Sequence, residues 1–366
     1  MNVAIIGCGN ISDIYLKNLT SLFKGVNVYA VADLDAQKAE NAQKNYGVEK
    51  VLTAEEIFSD KNVQFVLNLT TPPYHYTICK QAIEAGKHVY VEKPLSLKYE
   101  QGKELVRLAK EKGVYLGCAP DTFLGAGIQT CKKLIAESKI GKPIGGVAFM
   151  MCPGHESWHP APDFYYKEGG GPLFDMGPYY ITALVALLGK IDSVVAFSGK
   201  GFEERTITSQ PNYGKKIKVE VDTHTAALLK FSSGATVSMT MSFDVLAHTL
   251  PCIEIYGTNG SIKVPDPNIF GGKVEVATRE NLNHVEVEMV SEYSMNSRGL
   301  GLVDTIRAVE EKRLNCASGE LALHVLEVME SIYVSAREGR AVAIESEPPI
   351  IPELDWSAPL GEIKTL

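Results

Sequence analysis

Apolar residues arrive in short solid blocks and then at helical spacing. Residues 3–6 are an unbroken apolar run closed by Gly7, after which Ile11, Ile14, Tyr15, Leu19 and Leu22 recur at intervals of one, three and four. A run that short, apolar throughout and stopped by glycine reads as a strand buried on both faces. The spacing that follows reads as a helix with one apolar side. The alternation returns with strands at 28–32, 65–69, 88–91 and 114–117 and helices at 36–46, 77–85 and 97–112. Strand and helix taking turns predicts an α/β fold with a doubly wound parallel sheet.

After about Pro120 the pattern changes. Helical spacing over 124–138 and 173–188 gives way to β-rich segments near 191–199, 221–231, 235–243, 252–257, 261–264, 273–277 and 285–289. Turn signals at Ser232-Ser233-Gly234 and Thr258-Asn259-Gly260 separate them, which predicts a second, largely antiparallel sheet. Helices over 302–314 and 319–338 follow, and 345–366 reads as a Pro-bearing tail of low order.

The sharpest local signal is Gly7-Cys8-Gly9-Asn10-Ile11-Ser12, directly after the first strand and opening the first helix. Gly7 permits a tight turn, Gly9 lets a pyrophosphate approach the backbone, and the helix start offers oriented N–H groups. Asp33 ends the second strand 26 residues after Gly7, where a carboxylate can hold an adenosine ribose diol. It would repel a 2′-phosphate, and no arginine follows in Leu34-Asp35-Ala36, so NAD is expected over NADP. The competing readings are an ordinary Gly-rich turn and, for Asp33, a helix N-cap.

Composition narrows the classes. With 366 residues, of which 45% are hydrophobic, the chain can fill more than one core. Thirty-six basic against 44 acidic residues, with no basic run, argues against a nucleic-acid partner. Cysteines 8, 79, 118, 131, 152, 252 and 316 are odd in number and never spaced C-x-x-C, as expected of thiols in a reducing cytoplasm. The N-terminal apolar run is too short for a signal peptide and the longest other run too short for a membrane span. A cytoplasmic protein with no membrane partner is expected.

His155-Glu156-Ser157-Trp158-His159 matches the H-E-x-x-H zinc pattern, but Pro153-Gly154 precedes it and Pro160 and Pro162 follow. Those residues predict a loop, on which the two histidines do not share a helix face, so no metal site is expected. Trp158 and His159 instead suit a polyol site, the indole stacking on a sugar face; a surface loop pinned by its tryptophan is the alternative.

Four motifs now carry a resemblance. Gly7-Cys8-Gly9-Asn10-Ile11, Thr71-Pro72-Pro73-Tyr74-His75, Glu92-Lys93-Pro94 and Gly169-Gly170-Gly171-Pro172-Leu173-Phe174-Asp175-Met176-Gly177 stand in the order seen in the glucose-fructose oxidoreductase/inositol dehydrogenase/MocA (Gfo/Idh/MocA) family, which the chain resembles over about residues 1 to 340. The resemblance implies a Rossmann dinucleotide-binding domain, here 1–120. It implies a following α+β domain for substrate binding and assembly, here 121–366, with an open, mainly antiparallel sheet that builds homodimers or homotetramers. The implied chemistry is NAD(P)-dependent oxidation or reduction of a secondary alcohol on a sugar, inositol or related polyol.

Residue by residue, the resemblance implies that Lys93 contacts the nicotinamide ribose and the substrate hydroxyl, that Asp175 holds the substrate, and that Thr71, Pro72, His75 and Glu92 line the nicotinamide side. His75 fits equally as a helix-start residue without a ligand role. Many members carry histidine four residues after the aspartate; here Tyr179 takes that acid/base position, with Lys93 the cation that helps its phenol ionise. Thr182 replaces a later family aspartate, and Tyr180 and Phe164-Tyr165-Tyr166 read as packing or as pocket walls. Two other functions share the fold: an NAD-dependent glycosidase working by transient C3 oxidation, and a non-catalytic NAD sensor. A sensor has no need of Lys93, Asp175 and Tyr179 together.

Overall fold

Val3, Ala4 and Ile5 are wholly buried in β1 (Asn2–Ile6), as an apolar run with no polar face requires. The computed structural model describes residues 1–364. From β1 the chain continues through α1 (Ser12–Ser21), β2 (Asn27–Ala32), α2 (Ala36–Tyr46), β3 (Lys50–Val51), α3 (Ala54–Ser59), β4 (Phe65–Asn68), α4 (Pro72–Glu84), β5 (His88–Val91), α5 (Tyr99–Lys112) and β6 (Leu116–Cys118). The strands form a parallel sheet in the order β3-β2-β1-β4-β5-β6. This is the doubly wound sheet the alternation predicts. Its order reverses between β1 and β4, the place where such sheets open a ligand crevice beyond the strand ends. α4 begins five residues before the predicted start because Pro72 and Pro73 sit in the first turn, where a missing N–H costs nothing.

Next come α6 (Ala126–Ala136), β7 (Pro143–Met151), α7 (Gly171–Leu188), β8 (Ile191–Gly199), β9 (Glu204–Thr206), β10 (Lys216–Lys218), β11 (His224–Phe231), β12 (Thr236–Ser242), β13 (Ile253–Gly257), β14 (Gly260–Val264), β15 (Glu275–Thr278), β16 (Val285–Glu286), α8 (Leu300–Glu311), α9 (Gly319–Glu338) and β17 (Val342–Ala343). Nine strands make a mixed sheet in the order β16-β15-β14-β13-β7-β12-β11-β8-β17, in which only the β7–β12 pair is parallel. α7 packs on β12, β7 and β11, and the alternate residues Val237, Met239 and Met241 are buried. On the other face Phe197 is 74% exposed and Leu228 47%. The nine strands include β7, which the sequence pattern did not reveal.

Contacts group the chain into two units. The first takes Met1–Ala126, Val290–Leu326 and the chain from Pro348; the second takes Gly127–Met289 and Glu327–Glu347. A single break near residue 120 therefore describes the order of the chain but not this grouping. The expectation of a loose tail is corrected: Ile351, Leu354 and Ile363 are buried, and the Gly361 carbonyl accepts the Lys24 N–H at 3.1 Å. The tail has little regular structure but enough apolar residues to pack; its last two residues lie outside those described. No helix among the described residues is long and apolar enough to cross a membrane.

Candidate functional site: a dinucleotide loop and a polar cluster on α7

In the first unit, β1 ends in Gly7 at a φ of 103°, a conformation open to glycine, and a Cβ there would lie 2.6 Å from the Leu69 carbonyl carbon. The Gly7 amide donates to the Ala32 carbonyl at 2.8 Å and closes the turn. Gly9 is different: a Cβ would meet no protein atom within 4 Å. The chain's own packing does not require glycine at that position, and the space beside it is open to a group approaching from outside. α1 starts at Ser12 with no side-chain cap on its first N–H groups, and the Ser12 hydroxyl donates instead to the Gly9 carbonyl at 2.6 Å. Asn10 is exposed and Ile11 partly buried beside those uncapped amides. A bare, positively polarised helix start next to an uncrowded glycine fits a pyrophosphate.

Asp33 is fixed by that loop. Its Oδ2 accepts the Cys8 N–H at 2.7 Å and its Oδ1 the Asp35 N–H at 2.8 Å. The cap of α2 is Asp35, which accepts from the Gln37 N–H at 3.1 Å, so Asp33 is not the helix cap. Each carboxylate oxygen keeps a lone pair for a hydroxyl donor. Neighbouring Leu34 is fully exposed and brings no cation to meet a 2′-phosphate. Burial and the Asp33 charge push the Cys8 thiol up to about 12, which keeps it protonated.

The ends of β4 and β5 are tied by buried polar groups. Glu92, 8% exposed, accepts the Tyr15 O–H at 2.8 Å on one oxygen and the Lys93 N–H at 2.9 Å on the other. It anchors the backbone of Lys93, a partly buried residue, to α1. His75 is buried with Nδ1 2.7 Å from the Pro94 carbonyl and Nε2 2.9 Å from the Thr70 carbonyl. Burial pulls its pKa down while the two carbonyls oppose the shift. With a backbone carbonyl against each ring nitrogen, His75 ties Thr70, just beyond β4, to Pro94, the residue after Lys93. Thr71 is exposed and Pro72 partly buried at the start of α4.

In the second unit Asp175 and Tyr179 stand one turn apart on α7, hence on one side of it. Pro178 between them leaves the Phe174 carbonyl without its helical donor. Tyr179 is 7% exposed. Tyr180 turns elsewhere: its O–H donates to the Phe149 carbonyl at 3.3 Å and burial pushes the phenol far up. Thr182 is buried.

Facing Asp175 is the loop that carries the H-E-x-x-H pattern. His155 is 8% exposed, its Nε2 lies 3.6 Å from Asp175 Oδ2, and that nitrogen makes no hydrogen bond. Its ring packs edge-on against Tyr165, Phe243 and Trp158 at centroid distances of 4.0, 4.5 and 5.3 Å. His159 accepts the Ala161 N–H at 3.1 Å on Nδ1, and burial, then the neighbouring His155, lower its pKa. The segment is a loop, and among the described residues no three His, Cys, Asp or Glu side chains are placed to hold a metal ion. Trp158 is 61% exposed, with the His155 and His159 rings each steeply inclined to it at a centroid distance of 5.3 Å. Sequence reasoning overlooked Arg205 and Asp244, which clamp this loop; they lie in segments without periodicity.

Comparison with known proteins agrees with both halves. Residues 1–119 match the model described as "Oxidoreductase family, NAD-binding Rossmann fold", and residues 128–263 match the C-terminal domain model of the same family. Inositol 2-dehydrogenase of Burkholderia lata is 26% identical over 286 residues, 75% of this chain and 76% of that protein. The NAD(+)-dependent scyllo-inositol 2-dehydrogenase of Bacillus subtilis is 28% identical over 264 residues, 71% of this chain and 72% of its own. The crystal structure of an NAD-binding oxidoreductase from Klebsiella pneumoniae superposes with a TM-score of 0.81 at 22% identity, covering 95% of this chain and 99% of that one. Levoglucosan dehydrogenase in complex with NADH gives 0.80 at 21%, covering 94% and 99%. Those two likenesses establish the shared fold. With the two domain models matched in order across a doubly wound sheet and a mixed nine-stranded one, the chain belongs to the Gfo/Idh/MocA family of oxidoreductases.

Proposed function

We propose that this oxidoreductase is an NAD-dependent dehydrogenase acting on a secondary alcohol of a sugar, inositol or related polyol. The observation that carries the cofactor half is the Asp33 carboxylate, fixed by the Cys8 N–H of the Gly-rich loop with lone pairs to spare and followed by Leu34-Asp35-Ala36, which holds no arginine. The substrate class is supported by the inositol dehydrogenases to which about three quarters of the chain aligns.

Gly7, Gly9, Asn10 and Ile11 would hold the pyrophosphate and Asp33 the adenosine ribose. When bound, NAD supplies the hydride acceptor. The chain must then take the hydroxyl proton, because a secondary alcohol loses a proton as its carbon gives up hydride. Tyr179 is the base in this reading, and Lys93 is the ammonium that orients the hydroxyl and favours the phenolate; their partnership rests on the family resemblance. Asp175 accepts from a substrate hydroxyl, and the largely exposed Trp158, with His159 beside it, suits a sugar ring.

A panel of inositols and aldoses, offered with NAD or NADP and followed by cofactor absorbance, tests the proposal. Turnover with NAD ahead of NADP is expected, and Asp33→Ala should weaken NAD and narrow the gap between the two. No turnover on any polyol would remove the substrate class; a native preference for NADP would remove the role of Asp33.

A further inference from the structure

We propose that residues 153–162 form a preformed hydroxyl-binding arm in which the His155 imidazole and the Asp175 carboxylate share one hydroxyl of the polyol, with Arg205 the positioning residue that holds the arm. The inference rests on the polyol reading above and goes beyond it by naming a subsite and its support.

Two observations lead to the shared hydroxyl. His155 Nε2 is buried, has no hydrogen-bond partner and stands 3.6 Å from Asp175 Oδ2. That gap is wider than a charge-assisted bond, which closes to about 2.7–2.9 Å. A hydroxyl oxygen that bridged the two would stand about 2.8 Å from each atom. Among the groups of a polyol, a hydroxyl donates to the carboxylate and accepts from the imidazole N–H at the same time. The pair thus recognises one neutral hydroxyl with two bonds of opposite sense.

The arm is held before any ligand arrives. Arg205, on β9 and 9% exposed, grips both sides of His155: Nη1 donates to the Pro153 carbonyl at 2.9 Å and lies 3.1 Å from Glu156 Oε1. Its Nη2 donates to the Phe243 carbonyl at 2.7 Å and to Asp244 Oδ1. Asp244 is itself fixed through Oδ2 by the Thr223 hydroxyl at 2.6 Å and the Gly201 N–H at 2.9 Å. The β9–β10 hairpin then runs along the arm. Thr208 and Ser209 N–H groups both donate to the Glu156 carbonyl at 2.9 Å, the Ser209 hydroxyl donates to the His159 carbonyl, and Asn212 donates to the Pro160 carbonyl at 2.7 Å. Gly154, at a φ of 92°, passes so close that a Cβ would lie 2.5 Å from the Tyr166 hydroxyl and 2.8 Å from Arg205 Nη1. A buried ion network is weak evidence of stability in its own right, and an unpaired buried nitrogen detracts from it. Fixing a binding group in advance, by contrast, removes the ordering cost from ligand binding.

Kinetics on the best polyol of the panel, with near-UV circular dichroism to confirm folding, test the inference. His155→Gln and Asp175→Asn should each lower kcat/KM by roughly 10- to 100-fold, and the double variant should lose little more than the worse single one, because both bonds go to one hydroxyl. Arg205→Lys keeps the charge but not the fork, so KM should rise about tenfold with kcat close to native. Should Arg205→Lys fail to fold, Glu156→Gln, which weakens the same grip, should move KM in the same direction. In a Trp356→Phe background Trp158 is the sole tryptophan, and the same polyol should change its emission, an effect absent in His155→Gln. If no polyol is turned over yet polyols still change Trp158 emission through His155, the dehydrogenase reading fails while the arm stands. Native KM and emission in His155→Gln, or additive losses in the double variant, would overturn the arm and leave the dehydrogenase reading intact. A native KM in both Arg205→Lys and Glu156→Gln would overturn the positioning role.

Discussion

Tyr179 and Tyr180 are adjacent phenols with different uses. Tyr180 donates a hydrogen bond to the Phe149 carbonyl and is buried so that its ionised form is strongly disfavoured, which leaves it a packing residue with a satisfied hydroxyl. Tyr179 follows Asp175 by one helical turn, the position of the acid/base group in the resemblance. Tyr179→Phe should therefore lower kcat by about 10² to 10⁴ with NAD affinity nearly unchanged. Tyr180→Phe should leave kcat near native and lower unfolding stability by about 1 kcal/mol. Lys93→Met should lose at least as much turnover as Tyr179→Phe, and the double variant should fall well short of the product of the two losses. Stopped-flow NAD binding and steady-state rates check the kinetic effects and urea unfolding the stability loss of Tyr180→Phe, and near-native turnover of Tyr179→Phe would move the proton to another group. Gly7, Gly9 and Asp33 stand out as candidates because spacing along one strand, turn and helix is enough to single them out. Arg205 does not, because its partners at 153, 156, 243 and 244 are distant in sequence and meet it only in the fold.

At the scale of elements, most strands and helices could be read within a few residues, and the exception is instructive. β7 lies in the middle of the nine-stranded sheet, yet it opens Pro143-Ile144-Gly145-Gly146, which looks like a turn. The glycines are there because both neighbours come close: a Cβ on Gly145 would lie 2.7 Å from the Thr236 carbonyl oxygen, and one on Gly146 would lie 2.6 Å from that of Glu254. Glycine within a strand marks close backbone approach, and without the neighbours in view it reads as a loop. Five further elements, the two- or three-residue strands β3, β9, β10 and β17 and the six-residue α3, are too short to show a period. Gly146→Ala should force β13 to shift and lower unfolding stability by roughly 1–3 kcal/mol, the range for overpacking a closed site. Chemical denaturation measures it; an unchanged midpoint would mean that the sheet yields there without cost.

For the whole molecule, the first consequence comes from the uncovered sheet face. Phe197 pairs with Ala226, and Leu228 with Val195, on the side that α7 does not cover. An apolar face of this kind is expected to be buried against a second copy, giving the proposed homodimer or homotetramer. Phe197→Glu should then shift the native mass in light scattering toward the monomer, and a native protein already monomeric would dispose of the idea. The second consequence concerns pH. The first unit gathers three stretches of chain, and Asp121 helps join two of them by accepting the Gly299 and Gly301 N–H groups at 2.9 and 3.0 Å. Burial raises its pKa from 3.8 to about 6, with Glu92 adding to the rise and the two amides and Arg298 opposing it. Tyr15 and Tyr90, the other titratable groups facing it, are themselves held neutral by burial. Between those two values the folded chain keeps a proton that the unfolded chain releases, so this group's contribution to stability falls as pH rises through the window. The full difference corresponds to about 3 kcal/mol. Asp121→Asn keeps the shape and an acceptor but cannot titrate. Urea unfolding across that range should therefore show the native protein losing stability relative to Asp121→Asn as pH rises, and a constant difference would mean that Asp121 ionises in the folded state at its ordinary value.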